Sequence, residues 1–303
     1  MSLDLRAERH GRAHGAARRA DGSRLPHVVH HPRRSFELRL RHAWSYRRLI
    51  PVLGWALVVR RFRGTFLGWL WVPLRPSLQI LSRAFVFGGM LQVGSGDRPY
   101  LIFLLAGQAS WDLFDKAVYW SFRPLNSFRR VLGSAPIPWA VGVASALIPA
   151  IVDAAQYVVI GVIVSVYYKL TRGTSYIVTS FPSGLGLVAG ILLLVAWSYA
   201  MGLIVGPLIV KARDVRYIIR YVLSFWYFLT PVLYATSNLP QKYRIFSEYN
   251  PLAAPIELIK NGLLGSGGPG HSSMLVCLIG LAVMLPAGLL TASYFERQVH
   301  ARI

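Results

Sequence analysis

From Leu185 to Val210 the chain runs without a single charged side chain. An apolar helix needs about 20 residues to cross the hydrocarbon core of a bilayer, and this stretch is longer. Inside lipid no water is available to the backbone, so its N–H and C=O groups must be satisfied within the segment, which selects a helix. Gly186–Gly190 and Gly202–Gly206 repeat at intervals of four and permit close approach of neighbouring helices.

Five further stretches behave similarly. The spans are expected at about Gly64–Val93, Tyr100–Phe122, Trp139–Tyr168, Leu185–Val210, Tyr217–Thr236 and Met274–Phe295. With 54% hydrophobic and 15% charged residues in 303, the chain reads as an all-α membrane protein of six transmembrane helices. The net charge of +21 could suggest nucleic acid, but no soluble module interleaves aromatics with that charge. The basic residues instead gather in the N-terminal arm and in the 123–130 and 211–220 loops. The 94–99 and 169–173 loops carry few. This asymmetry places both termini in the cytoplasm and favours contact with anionic lipid.

Three regions follow. Residues 1–34 carry few bulky apolar side chains and read as a disordered basic cytoplasmic arm. His10 and His14, four apart, lie in a segment with no thiol and little helix support, so no metal site is assigned. Residues 35–63 mix Trp44, Trp55 and leucines with Arg39, Arg47, Arg48 and Arg60, as an amphipathic interface segment does. Pro51 and Gly54 are expected to bend it. Residues 64–303 form the transmembrane domain. Two helices too short to span, Leu239–Tyr249 and Leu252–Leu264, are expected to re-enter from outside, broken at Asn250-Pro251. Gly265–Gly270 lacks the residues of a phosphate-binding loop. The single cysteine, Cys277, lies in an apolar run and reads as a buried structural thiol.

Four features stand out against this frame. The first span starts on a basic foot (Arg60, Arg61, Arg63), then Trp69 and Trp71 at headgroup level, with Pro73 and Pro76 breaking the helix start. Arg75 has no evident reason to be there. Tyr217, Tyr221, Phe225 and Phe228 recur at steps of four, four and three, one aromatic stripe along the fifth span, with Pro231 and Tyr234 beyond it. Such rings pack well, and they also stack on the C–H faces of sugars. Between spans two and three, Leu125, Phe128 and Leu132 form one helical face beside Arg123, Arg129 and Arg130, ended by Gly133, Pro136 and Pro138. An apolar stripe on a short cytoplasmic helix seeks a partner. Finally, Asp112, Asp115 and Lys116 sit inside span two and an isolated Asp153 inside span three. Intramembrane charges face protein or water and are functional candidates, with a plain helix-to-helix hydrogen bond the alternative for Asp153. Asp112 and Lys116 share a face and can neutralise one another.

The order of these elements resembles a known family. Arg61 to Pro76 carries a basic foot, Leu-Gly-x-Leu-Trp and a proline turn. Ala212 to Ile218 reads A-R-D-V-R-Y-I, Phe228 through Pro231 to Tyr234 follows, and Asn250-Pro251-Leu252 closes the series. The pattern is similar to the permease subunits of ABC-2 type polysaccharide exporters, which move O-antigen, capsule and teichoic acid chains. The resemblance covers about residues 36–296. It implies a homodimer in the bacterial plasma membrane, with a pore between the first and fifth spans of the two copies. It implies two copies of a separate nucleotide-binding ATPase, which uses the ATP and Mg, with no cofactor on this chain. Arg123–Leu132 would be the coupling helix that docks on the ATPase. Pro231, Asn250 and Pro251 would belong to an external gate, and Trp69, Trp71, Tyr217, Tyr221, Phe225, Phe228 and Tyr234 to the path of a lipid-linked glycan. The basic arm at 1–34 has no counterpart in that pattern. Two other functions fit the composition: an ABC-2 permease for a drug or free lipid, and a membrane-embedded transferase using Asp112, Asp115 or Asp153 as acid and base. The second lacks a companion histidine or metal constellation.

Overall fold

A computed structural model of the chain describes residues 44–62, 66, 68–94, 98–124, 137–177 and 180–300. The N-terminal arm, the first part of the interface segment and residues 125–136 lie outside the described residues. Among those described there is no strand. Among the described residues nine α-helices follow one another: α1 Leu49–Phe62, α2 Trp71–Arg83, α3 Tyr100–Trp120, α4 Trp139–Arg172, α5 Phe181–Lys211, α6 Val215–Leu229, α7 Gln241–Glu248, α8 Ala253–Leu264 and α9 His271–His300.

Three of these, α4, α5 and α9, are long and apolar enough to cross a membrane by composition, with mean hydropathies of 2.1, 2.2 and 2.4. α3 has the length but carries three charged residues. It is the hub: 15 of its 21 residues are buried, and α4, α5 and α8 pack on it. The helix runs on through Gly107, and that glycine serves close packing. A Cβ there would lie 2.6 Å from the Val232 carbonyl and 2.8 Å from Lys260 Cε. Gly107 thus lets the α6–α7 connection and α8 close on α3.

α5 and α8 approach just as closely. A Cβ on Gly262 would meet Leu187 and the Ser183 carbonyl, and one on Gly190 would meet the Pro255 carbonyl and Ile259. Gly202 and Gly206 receive Val143, Ser121 and Trp139. Gly186 faces open space, so only three of the four glycines expected to serve close approach do so.

Several boundaries differ from expectation. The stretch Lys169–Arg172, expected as an outer loop, is the last turn of α4, because nothing breaks the helix before Gly173. Gly173 sits at φ 68, and its N–H caps the Lys169 carbonyl. Pro51 and Gly54 do not bend the interface segment. Pro51 lies in the first turn of α1, where a missing N–H costs nothing, and Gly54 receives Ile148 and the Ser145 carbonyl of α4. α1 is therefore docked along α4, with Leu57 and Val58 buried between them.

The first expected span is composite. A 3-10 turn at Gly68–Leu70, with Gly68 at φ 48, precedes α2. Pro73 falls in the first turn of α2 and Pro76 inside it. Beyond Arg83 the chain continues as a π-helix, Ala84–Met90, and Leu91 N–H donates back to the Val86 carbonyl. The fifth span is shortened. α6 stops at Leu229, just before Thr230-Pro231, and its 15 residues rise about 22 Å, less than the roughly 30 Å of a hydrocarbon core.

Candidate functional site

The aromatic stripe is real as a surface. Tyr217, Tyr221, Phe225 and Phe228 are 55, 78, 67 and 57% exposed along one side of α6. The opposite side buries Leu223 and Tyr227. Four large rings left open on an amphipathic helix form an apolar patch with hydroxyl tips, able to accept packing or the faces of sugar rings. α2 likewise leaves Trp71, Leu78 and Leu81 exposed, with Arg75 among them, and Phe85 of the following π-helix is exposed too. Trp69 lies in the 3-10 turn preceding α2. Tyr234 is not on the stripe. It lies beyond the end of α6, half-buried, and its hydroxyl donates to the Phe228 carbonyl at 3.0 Å.

The buried side of α6 zips antiparallel onto α3. Tyr227 Oη donates to Gln108 Oε1 at 2.9 Å, and its ring stands edge-on to Trp111 at 5.4 Å. Trp226 meets Phe114 edge-on at 5.6 Å. Nearer the start of α6, the Arg220 guanidinium lies over Tyr119, 5.5 Å from the ring centre. The α2 helix joins this assembly through Arg83, 5.0 Å over the Tyr227 ring, and through Gln79, which accepts from Tyr157 of α4 at 2.8 Å.

The end of α6 is held by Asn250. Its Oδ1 accepts from Trp226 Nε1 at 3.1 Å and from the Leu252 N–H at 3.0 Å. Its Nδ2 donates to Thr230 Oγ1 at 2.9 Å and to the Leu229 carbonyl at 3.3 Å. One amide thus caps the C-terminus of α6 and fixes the entry to α8, supplying partners to carbonyls a helix end leaves open. Pro251 follows Asn250 in the tight turn before α8, and Pro231 is buried. Between α6 and α7 an apolar groove of about 640 Å³ opens, lined by Trp226, Leu229, Phe246 and Tyr249.

Lys260 lies in α8, on a helix the sequence places in the external insert. It is 2% exposed. Its Nζ donates to the Pro231 carbonyl at 2.5 Å and the Val232 carbonyl at 3.0 Å, and lies 3.7 Å from the Phe103 ring centre. Burial pushes its ammonium down to about 7, with Glu257 opposing the shift. Burial likewise raises the Glu257 carboxyl, which accepts from Thr236 Oγ1. The signal available in sequence was helical phase: Ile256, Ile259 and Lys260 fall on the same side of α8.

The carboxylates of α3 and α4 are engaged. Asp153 is not isolated: Arg61 Nη1 of α1 reaches both its oxygens, at 2.6 and 2.7 Å, and Gln156 adds a bond at 3.3 Å. Spacing along the chain could not show that partner, 92 residues away. Asp112 accepts from Gln108 at 2.9 Å, and Lys116 sits 4.0 Å from Asp112 and 3.6 Å from Asp115. These carboxylates are engaged with cations and amides, an arrangement that ties helices together.

Of the expected coupling residues, Leu125, Phe128, Arg129, Arg130 and Leu132 lie outside the described residues. Arg123 is described. Its guanidinium stacks 3.8 Å over the Trp120 ring centre and 5.4 Å from that of Tyr119.

The sequence model of the ABC-2 type transporter family matches residues 48–264. The O-antigen export system permease protein RfbA of Myxococcus xanthus is 25% identical over 202 residues, 66% of this chain and 73% of that protein. The polysialic acid transport protein KpsM of Escherichia coli is 26% identical over 233 residues, 75% of this chain and 86% of that protein. The RfbA permease of Klebsiella pneumoniae is 24% identical over 208 residues, covering 67% and 77%. The matched region runs from α1 to the end of α8, through α6 and the Asn250 turn, and on it the chain belongs to the ABC-2 type transporter family.

Proposed function

We propose that this chain is the membrane-spanning subunit of an exporter that moves a lipid-linked polysaccharide across the bacterial plasma membrane. The observation that carries this reading is the exposed ring series Tyr217, Tyr221, Phe225 and Phe228 on α6, in a family whose similar members are named for O-antigen and polysialic acid export. A growing glycan sliding along a wall needs weak, repeated, sequence-tolerant contacts, and ring faces with hydroxyl tips supply them.

The chain acts as a homodimer with six spans per copy and both termini cytoplasmic. The exposed faces of α2 and α6, with Trp69 and Trp71 at the mouth and Tyr234 at the far end, line the route between the copies. α7 and α8 re-enter from outside and, with Pro231, Asn250 and Pro251, form the external gate. Work comes from two copies of a separate ATPase, which binds the ATP and Mg. Arg123, Leu125, Phe128, Arg129, Arg130 and Leu132 form the surface on which that ATPase docks. Residues 1–34 are a cytoplasmic arm and 35–63 an interface segment. Asp112, Asp115, Lys116 and Asp153 hold the bundle rather than act on substrate. Replacing Tyr221 and Phe225 together with alanine tests the reading. Glycan export should fall at least about tenfold, the scale of two lost ring contacts, while the complex with the ATPase still purifies intact. Undiminished export would remove the stacking role.

A further inference from the structure

A small polar cavity opens where the 3-10 turn Thr236–Asn238, α7, Glu257 of α8 and the start of α9 meet. None of the residues lining it belongs to α2 or α6. Its volume is about 170 Å³, below the roughly 300 Å³ at which sites for drug-sized ligands begin. A single sugar residue fits such a space and a chain does not.

The hydroxyl hydrogens of this wall are already committed. Thr236 donates to Glu257, and Ser247 then gives its proton to Thr236 Oγ1 at 3.1 Å. Ser237 reaches Asn238 Oδ1 at 3.4 Å, and Ser273 donates to the Gly270 carbonyl at 2.9 Å. What these oxygens still offer is lone pairs. Glu248 adds a carboxylate with no hydrogen bond or ion pair among the described residues. Arg244, one turn earlier on α7, is placed to neutralise it and does not. Its guanidinium donates instead to the Leu239 carbonyl from Nε at 3.1 Å and to the Ser237 carbonyl from Nη2 at 3.2 Å. The Nη1 donors stay unspent among the described residues.

The wall therefore presents many acceptors and one fork of donors. Its guanidinium disfavours a cation, and its carboxylates disfavour an anion. The complement is an uncharged molecule that brings several O–H donors close together, as the neighbouring hydroxyls of a pyranose do. We propose that this cavity binds one neutral sugar residue, at a place separate from the aromatic face of α6. That the sugar belongs to an exported chain rests on the function proposed above. The binding itself does not, and it is measured without transport.

The test is saturation-transfer NMR on the full chain in nanodiscs, with the methyl glycosides of glucose, galactose and mannose as probes. It is run with Tyr221→Ala and Phe225→Ala in place, so that the α6 rings do not contribute. At least one probe should still take up saturation. Adding Glu248→Ala should weaken its apparent affinity about tenfold, the scale of hydrogen bonds to a charged group. Glu248→Gln keeps one oxygen acceptor and should fall between. Glu248 is exposed at the end of a short helix, so an unchanged melting temperature is expected for both variants. The methyl glycoside of N-acetylneuraminic acid is an anion and should take up no saturation. Silence from all three neutral probes overturns the inference, as does a response that survives Glu248→Ala or a stronger one from the anionic sugar. Probes that respond only while Tyr221 and Phe225 are present place the sugar on α6, which removes the cavity and leaves the proposed function standing. A Glu248-dependent response, in a chain whose export is untouched by the α6 pair, leaves the cavity standing and removes the stacking role.

Discussion

At the scale of single residues, the buried polar side chains are fasteners placed where helices end or cross. Asn250 holds two helix ends with one amide. Asn250→Ala should lower thermal stability in detergent by about 1–3 kcal/mol, since several bonds to buried groups are lost at once. An unchanged melting temperature would mean water replaces the amide. Asp153→Ala leaves Arg61 without the carboxylate that holds it and should cost about 3 kcal/mol, whereas Arg61→Met with Asp153→Leu should recover most of that loss. Lys260 gives a pH signature. Its folded ammonium titrates near 7 and an unfolded lysine well above, so between those values the unfolded chain binds more protons. Stability should therefore rise with pH across that window, and Lys260→Met should flatten the rise. These three residues also mark the limit of sequence reading. Asp153 was visible as an anomaly because charge is rare in an apolar run. Its partner, Arg61, was hidden among many arginines. Lys260 looked ordinary because a short helix flanked by loops carries no hydropathy signal of burial.

At the scale of elements, long helices were legible and short or irregular ones were legible only in outline. α4, α5 and α9 announce themselves by uninterrupted apolarity, and the Asn250-Pro251 break between α7 and α8 was visible in the proline. The early end of α6 was not, because aromatic and apolar residues continue through Val232 and Leu233 after the helix has stopped. Pro231 disfavours helical backbone at Thr230, and Lys260 and Asn250 then hold carbonyls at and beyond the helix end. Close approach of α5 and α8 is a tertiary effect. Gly262→Ala would drive a Cβ to 2.6 Å from Leu187 and 2.7 Å from the Ser183 carbonyl, and should destabilise by about 1–3 kcal/mol. Gly186→Ala faces open space and should be close to neutral, which makes the pair an internal control for membrane insertion.

At the scale of the whole molecule, helices divide by how much they bury. α3, α4, α5 and α8 form a tight interior, while α2 and α6 ride on it with one face each left open. The open faces of α2 and α6, like the apolar sides of α4, α5 and α9, call for covering surface, either lipid or another chain. Native mass measurement of the chain purified without its ATPase should give twice the chain mass. A strictly monomeric species would count against the dimeric route.

The π-helical segment Ala84–Met90 has a consequence for how α2 is oriented. A wider turn holds one residue more than the α-helix needs for the same advance, so the segment is a stored insertion. Were it to tighten to α, everything on one side of it would rotate by about 100° relative to the other, the angle a single helical residue subtends. The side bearing Trp71, Arg75 and Leu78 would then turn against the side anchored at Gly88 by the Tyr100 ring. Removing one residue from the segment should leave a foldable chain with its outward face re-aimed.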